Sequence, residues 1–323
     1  MKPIVFVPEP IAESGMTLLR TTCECVAPWA NGGSASAAEL KEMLSHADAV
    51  IVRLFNIAEH DLAHAQRLKV IGKHGVGVDN IDVAAATQRQ IPVVFTPTAN
   101  ANAVAEHTIT LMLALARHVH PASVAVHAGR FQERTKFAGV ELAGKTLGVL
   151  GLGRVGRRVA EIAHRGFAMR VVAYDPFVSA DNAPADAEIE RSLESVLAAA
   201  DFLTLHLPLT SDTRRLINAD RLRLLKPTCR IVNTSRGETV DETALAQALV
   251  EGRIGGAALD VFEQEPLPAD HPFLSAPNLL LTPHIASSTR ESLDRMSRDA
   301  AQGVLDVLQG KRPAHIVNPE ILQ

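Results

Sequence analysis

The chain is poor in aromatic residues, which fill 4% of its 323 positions with one Trp and one Tyr. Cysteine is as scarce: Cys23, Cys25 and Cys229 form an odd set with no zinc or redox spacing, and they read as reduced structural thiols. No sign of charge dominates, since 32 Lys and Arg face 36 Asp and Glu for a formal net charge of -4. That balance removes the main electrostatic drive towards nucleic acid or an anionic membrane, so neither is expected as a partner. The longest apolar run, around Thr108–Ala116, stops at Arg117, short of the roughly 18 residues that suggest a membrane helix. Pro8 and Glu9 break the N-terminal apolar run too early for a signal-peptide core. A cytoplasmic protein is expected.

What is present is a 47% hydrophobic composition, which excludes disorder. The length suggests two domains at roughly 100–200 residues each. Short β-branched runs alternate with Ala- and Leu-rich amphipathic stretches. Ile4–Val7, Ala49–Val52, Leu68–Gly72 and Val93–Phe95 form one series of strands. Thr146–Leu150, Arg170–Tyr174, Phe202–Leu205, Ile231–Asn233, Ala257–Leu259 and Leu279–Leu281 form a second. Strands spaced by helix-length segments are the pattern of βαβ units and parallel sheets. Between the series, residues 100–127 read as one long helix, apolar around most of its circumference. Such a helix is buried in a core or against a second subunit, and it is expected to hinge the domains and form a homodimer surface. A last helix from about Ser288 to Gln309 follows the second series and could pack back onto the first domain.

The strongest local signal is Gly148-Val149-Leu150-Gly151-Leu152-Gly153-Arg154-Val155-Gly156. Gly151, Gly153 and Gly156 satisfy G-x-G-x-x-G between a strand and a helix. Gly151 suits a tight turn, Gly153 a close approach of backbone to pyrophosphate, and Gly156 close strand–helix packing. Arg154 and Val155 should face the pyrophosphate at the helix N-terminus. Asp175 ends the next strand, where an acidic residue bonds the adenine-ribose hydroxyls. Its carboxylate would repel a 2′-phosphate, and Pro176-Phe177-Val178 offers no Arg to accept one, so NAD is favoured over NADP.

Three later segments each follow a strand: Asn233-Thr234-Ser235-Arg236-Gly237, Leu259-Asp260-Val261-Phe262-Glu263-Gln264-Glu265-Pro266 and Thr282-Pro283-His284-Ile285-Ala286-Ser287. Ligands of open α/β sheets bind outside the carboxyl ends of strands, so these loops can converge. Arg236 offers a planar fork for a carboxylate, and His284 is the natural acid–base group near neutral pH. Taken singly, Arg236 could instead pair with Asp241, and His284 could be a surface turn residue. His60 and His64 lie four apart on a helix without a third ligand, so no metal is expected.

With Lys73-His74-Gly75-Val76-Gly77-Val78-Asp79-Asn80 and Ala105-Glu106-His107-Thr108, these segments make the chain resemble the NAD-dependent D-isomer-specific 2-hydroxyacid dehydrogenase family, in its 3-phosphoglycerate dehydrogenase-like branch. The resemblance covers nearly the whole chain. It implies an α/β fold of two Rossmann-like or flavodoxin-like doubly wound parallel-sheet domains with a cleft between them. Residues 1–99 and 288–323 would form a discontinuous substrate domain, and 100–287 the NAD-binding domain.

The implied activity is hydride transfer between a D-2-hydroxy acid and a 2-keto acid. Candidate pairs are 3-phosphoglycerate with phosphohydroxypyruvate, or related hydroxypyruvate and glyoxylate substrates. Arg236 would bind the keto-acid carboxylate and polarise its carbonyl, and His284 would be the general acid–base. Glu265, chosen over Glu263 by the family spacing, would keep His284 charged, since a nearby carboxylate favours imidazolium. Asp260 resembles the residue that bonds the nicotinamide carboxamide. The backbone of Val76 and Gly77 resembles the loop that takes the substrate carboxylate. His206, Pro208, Thr213 and Thr234 are expected around the cofactor, with Thr108 near the nicotinamide or its phosphates. Glu106-His107 reads as helix packing and interdomain hydrogen bonding. Arg53 could meet an anionic substrate tail. Two departures stand out: Gly129-Arg130-Phe131 occupies a stretch where many relatives carry Trp, and no regulatory ACT domain is expected before the end at Gln323. The alternative reading is an NAD-sensing, corepressor-like regulator on the same fold.

Overall fold

The computed structural model describes residues 2–32, 36–179 and 182–322. Two compact units emerge, Met1–Asn100 with Ser288–Gln323, and Ala101–Ser287. The first is built on five parallel strands: β1 (Ile4–Phe6), β2 (Glu24–Val26), β3 (Ala49–Val52), β4 (Val70–Lys73) and β5 (Val93–Val94). Their order, β2-β1-β3-β4-β5, is that of flavodoxin-like doubly wound sheets. Every residue of β3 and β4 is buried, as a parallel sheet covered on both faces requires. Phe6, Val50, Val52 and Ile71 pack with Leu44 and Leu62 on one side. Val5, Ile51 and Val70 pack on the other with Met16, Leu19 and, from the closing helix Arg290–Leu308, Ala300, Ala301 and Val304. A Cβ on Gly72 would lie 2.8 Å from Val304 Cγ2, so only glycine lets that helix come so near the strand.

The second unit holds seven parallel strands: β6 (Thr146–Leu150), β7 (Arg170–Tyr174), β8 (Glu188–Ile189), β9 (Phe202–Leu205), β10 (Arg230–Asn233), β11 (Gly256–Leu259) and β12 (Leu279–Leu281). They run β12-β11-β10-β9-β6-β7-β8. That is the dinucleotide-fold order, reversing direction between β6 and β9, with one strand added. Ligand sites of such sheets lie beyond the carboxyl ends at this reversal, where the glycine loop follows β6.

The expected single helix over 100–127 is two, Ala101–Ala116 and Val119–His127, bent by 62°. Pro121 explains the break: in a continuous helix its ring would strike the Arg117 carbonyl, and it has no N–H to donate. His118 takes the turn at φ 51°. The first helix buries Ala105, Ile109, Leu111, Met112 and Leu115 inside its own unit. Exposed apolar residues belong instead to the second helix and the turn after it: Val119, Val124, Val126 and Phe131. Among the described residues, no single helix is long and apolar enough to cross a membrane.

Candidate active site

The glycine loop closes a strand–turn–helix unit in which each glycine answers a different steric demand. Gly151 has φ +91°, and a Cβ there would lie 2.5 Å from the His206 carbonyl oxygen, so both backbone and space exclude a side chain. A Cβ on Gly156 would lie 2.0 Å from the Gly151 oxygen. A Cβ on Gly153 would meet nothing within 4 Å beyond its chain neighbours, and the residue caps the helix Arg154–Phe167 without a side-chain hydrogen bond. Open space over uncapped helix amides fits a pyrophosphate. Arg154 is exposed beside it and Val155 half-buried. Asp175, at the end of β7, accepts the Leu152 N–H at 2.8 Å and the Phe177 N–H at 2.9 Å, which ties the ribose-side carboxylate to the loop. These residues fit a dinucleotide.

Beyond β9, His206 lies 3.0 Å through Nε2 from Thr204 Oγ1, and desolvation pushes its imidazole down to about 3, leaving it neutral at physiological pH. Pro208 and Thr213 belong to the next turn, where Thr213 Oγ1 donates to the Pro208 oxygen at 2.6 Å. Thr234 pairs with Thr108 through their hydroxyls at 2.8 Å. Thr108 is fully buried and donates its hydrogen to the Val104 oxygen, so its geometry is that of a support beneath Thr234.

Arg236 follows β10 on a loop shaped by Asn233. The Asn233 oxygen accepts from Ser235 N and Oγ at 3.0 and 2.8 Å, and its amide donates to the Arg236 oxygen at 2.8 Å. The adjoining Gly237 is buried, and a Cβ there would lie 2.0 Å from the Phe262 carbonyl carbon. The arginine loop and the glutamate loop thus meet backbone to backbone. Glu265 accepts the Phe262 N–H on Oε1 at 3.0 Å, and its Oε2 lies 2.7 Å from His284 Nδ1. Burial works against this carboxylate, but the hydrogen bond and charge of His284, with the Phe262 N–H, hold it below its ordinary range. An ionised carboxylate only accepts; Nδ1 therefore carries a hydrogen, and Nε2 is left for a reacting atom.

His284 itself sits at φ +51°, a conformation costing a non-glycine residue roughly 1–2 kcal/mol. The turn is held from below by Asp260, which is fully buried. Its carboxylate accepts Thr282 Oγ1 at 2.6 Å, the Ile285 N–H at 2.9 Å and the Ala286 N–H at 2.8 Å, and its carbonyl accepts the His284 N–H at 2.9 Å. Burial alone would raise the Asp260 carboxyl; bonds from His107, Thr282 and the two amides hold it low. Sequence reasoning passed over Glu242, whose Oε1 accepts the Glu263 N–H at 2.8 Å and whose Oε2 lies 3.1 Å from His271. No spacing signals it, because the contact joins a helix start to a distant loop. The His107 ring, expected to bond between domains, bonds within its own unit to Thr282 at 3.2 Å.

In the first unit, Arg53 and Val76-Gly77 follow β3 and β4. The Glu9 carboxylate accepts the N–H groups of Arg53, Leu54 and Phe55 at 2.7–2.9 Å, a brace with no sequence signature. Arg53 Nη1 donates to the Pro10 oxygen at 3.0 Å. Val76 is exposed and Gly77 half-buried. Among the described residues, no three His, Cys, Asp or Glu side chains group as metal ligands.

Residues 109–286 match the family described as D-isomer specific 2-hydroxyacid dehydrogenase, NAD binding domain. A D-3-phosphoglycerate dehydrogenase of Synechocystis is 43% identical over 284 residues, 88% of this chain and 51% of the relative. The chain thus spans about half the length of that enzyme. A glyoxylate reductase of Thermofilum pendens is 38% identical, covering 100% of this chain and 96% of its own. Among solved structures, a D-lactate dehydrogenase from Aquifex aeolicus complexed with NAD and lactic acid superposes with a TM-score of 0.86 at 28% identity, over 98% of this chain and 99% of that one.

Proposed function

Because the chain belongs to the D-isomer-specific 2-hydroxyacid dehydrogenase family, we propose that it reduces a 2-keto acid to the D-2-hydroxy acid with NADH and runs the reverse oxidation with NAD. The observation that carries this reading is the 2.7 Å pair of His284 Nδ1 and Glu265, within the unit that holds the glycine loop. The nicotinamide cofactor, when bound, supplies or takes up the hydride. Gly151, Gly153, Arg154, Val155 and Gly156 would hold its pyrophosphate, Asp175 its adenine ribose, and His206, Pro208, Thr213, Thr234 and Asp260 the remaining surface.

Arg236 binds the substrate carboxylate through its guanidinium fork and draws charge from the carbonyl, with the backbone of Val76 and Gly77 assigned to the same carboxylate. His284 delivers a proton from Nε2 to the developing alkoxide. Glu265, on the opposite ring nitrogen, fixes the orientation of the ring. In oxidation the proton returns to Nε2. Asp175 makes NAD the preferred dinucleotide, because a 2′-phosphate would meet a carboxylate already committed to the loop backbone.

Substrates proposed from the relatives' names are glyoxylate and phosphohydroxypyruvate, with hydroxypyruvate between them; Arg53 is assigned to a distal phosphate if there is one. A homodimer through the 100–127 region is proposed on the exposed Val119, Val124 and Val126, and a cytoplasmic location on the three free thiols. The curated relatives reported above are named as a dehydrogenase and a reductase, and a corepressor-like regulator is not favoured. NADH decay against glyoxylate, hydroxypyruvate, phosphohydroxypyruvate and pyruvate, repeated with NADPH, tests the reading. Turnover on at least one acid with NADH supports it; cofactor binding without turnover on all four refutes it.

A further inference from the structure

We infer that His107 is a positioning residue: through Thr282 and Asp260 it holds the strained turn that presents His284. The chain of contacts lies wholly within the second unit. His107, on the helix Ala101–Ala116, brings Nε2 to 3.2 Å from Thr282 Oγ1 and 3.5 Å from Asp260 Oδ1. Thr282 Oγ1 donates its one hydrogen to Asp260 Oδ1 at 2.6 Å. A hydroxyl with its hydrogen committed can only accept from a third group. His107 must therefore donate from Nε2, which fixes its ring orientation and, in the neutral form, its tautomer.

The acceptor side is equally constrained. Asp260 has no exposed surface, and its two carboxylate oxygens receive Thr282 Oγ1, the Ile285 N–H and the Ala286 N–H. The two amides immediately follow His284. A carboxylate buried without donors is costly, and the donors here are one hydroxyl, two amides and the His107 ring. His284 occupies φ +51°, a conformation that a non-glycine residue keeps only where its surroundings over-determine it. Removing the His107 donor leaves the Thr282 lone pair unpaired and takes the nearby ring N–H from Asp260 Oδ1, which then relies on Thr282 Oγ1 and the Ile285 N–H alone at the point where that turn is held. The expected result is a looser turn, with Ile285 and Ala286 opening more often and Nε2 of His284 spending less time where a reacting atom needs it.

The inference rests on the proposed 2-keto acid reduction for its kinetic arm only. His107→Leu removes the donor, His107→Gln restores an N–H of similar reach, and Thr282→Val breaks the relay with little change in volume. Hydrogen exchange of the segment 282–290 in the whole protein reads the turn without any turnover. It should speed up about tenfold in the Leu and Val variants and stay within about threefold of wild type in the Gln variant. In parallel, kcat should fall tenfold or more in the first two with KM for the keto acid within about threefold, and recover in the Gln variant. Should His107→Leu not fold, the Val and Gln variants decide alone. Unchanged exchange in Thr282→Val, or equal loss in His107→Leu and His107→Gln, overturns the inference. A wild-type protein inactive on every keto acid would refute the functional reading and leave the exchange result to decide this one.

Discussion

A close backbone approach in the second unit yields its most demanding test, the substitution Gly237→Ala. Gly237 follows Arg236 and is buried against the loop that carries Glu265. An added Cβ would stand 2.0 Å from the Phe262 carbonyl carbon, 2.4 Å from its oxygen and 2.4 Å from the Glu263 nitrogen. All three are backbone atoms, so no side chain can swing away. Reaching ordinary contact near 3.4 Å requires the two backbones to part by about 1.4 Å. The glutamate loop cannot yield locally, since the Glu263 N–H is held by Glu242 and the Phe262 N–H by Glu265 itself. The displacement therefore passes to Glu265, and through it to His284. Overpacking of this kind costs roughly 1–3 kcal/mol, which for a unit of this size lowers Tm by about 3–10 °C. A misplacement near 1 Å at the chemistry costs about 100-fold in rate. Thermal melts and initial rates of NADH consumption read the two effects separately. NADH affinity should fall less than kcat, because the glycine loop that would hold the pyrophosphate follows a different strand. A Gly237→Ala enzyme with kcat within twofold of wild type would refute the claim that the two loops are registered by this contact.

Gly153→Ala should leave Tm within about 1 °C, since the new Cβ would meet nothing within 4 Å beyond its chain neighbours, while weakening NADH binding tenfold or more by intruding on the pyrophosphate space; titration of NADH fluorescence measures it. A second expectation concerns acid. His74 is buried with Nε2 2.9 Å from Ser297 Oγ, and desolvation, with Arg53 nearby, pushes its imidazole from 6.5 to about 4. Between those values the unfolded chain binds a proton that the folded chain refuses, so stability falls as pH drops from 6.5 to 4, by up to about 3 kcal/mol from this group. Urea denaturation at pH 7 and 4.5 should show a smaller loss for His74→Gln than for wild type. Val126→Asp, on the exposed face of the helix Val119–His127, should convert a dimer to monomer in sedimentation; a wild-type monomer would remove the dimer proposal.

Much of this was legible in the sequence because the signals are local. Strand, turn and helix around Gly151–Gly156 follow from three glycines whose steric needs are intrinsic. Ten of the described strands were readable as β-branched or apolar runs. The two missed ones, β2 and β8, are short, partly exposed edges, Glu24–Val26 and Glu188–Ile189, with no apolar run to mark them. The break at Pro121 was readable in principle, but the apolar content of residues 100–127 outweighed one proline. Long-range pairings were not legible. Glu9 beneath residues 53–55, Glu242 beneath Glu263 and His107 behind Thr282 each join positions far apart in the chain, and no periodicity encodes them. The same holds for the hydroxyl of Thr108, which bonds Val104 and, 126 residues on, Thr234.

The central claim is that His284, held by Glu265 and the Asp260 turn, is the proton donor and acceptor of a nicotinamide-dependent 2-keto acid reductase. Its most direct test is His284→Ala, comparing kcat on whichever keto acid the wild type turns over with the dissociation constant for NADH. kcat should fall by several orders of magnitude with NADH affinity nearly unchanged. A variant that keeps wild-type turnover would contradict it.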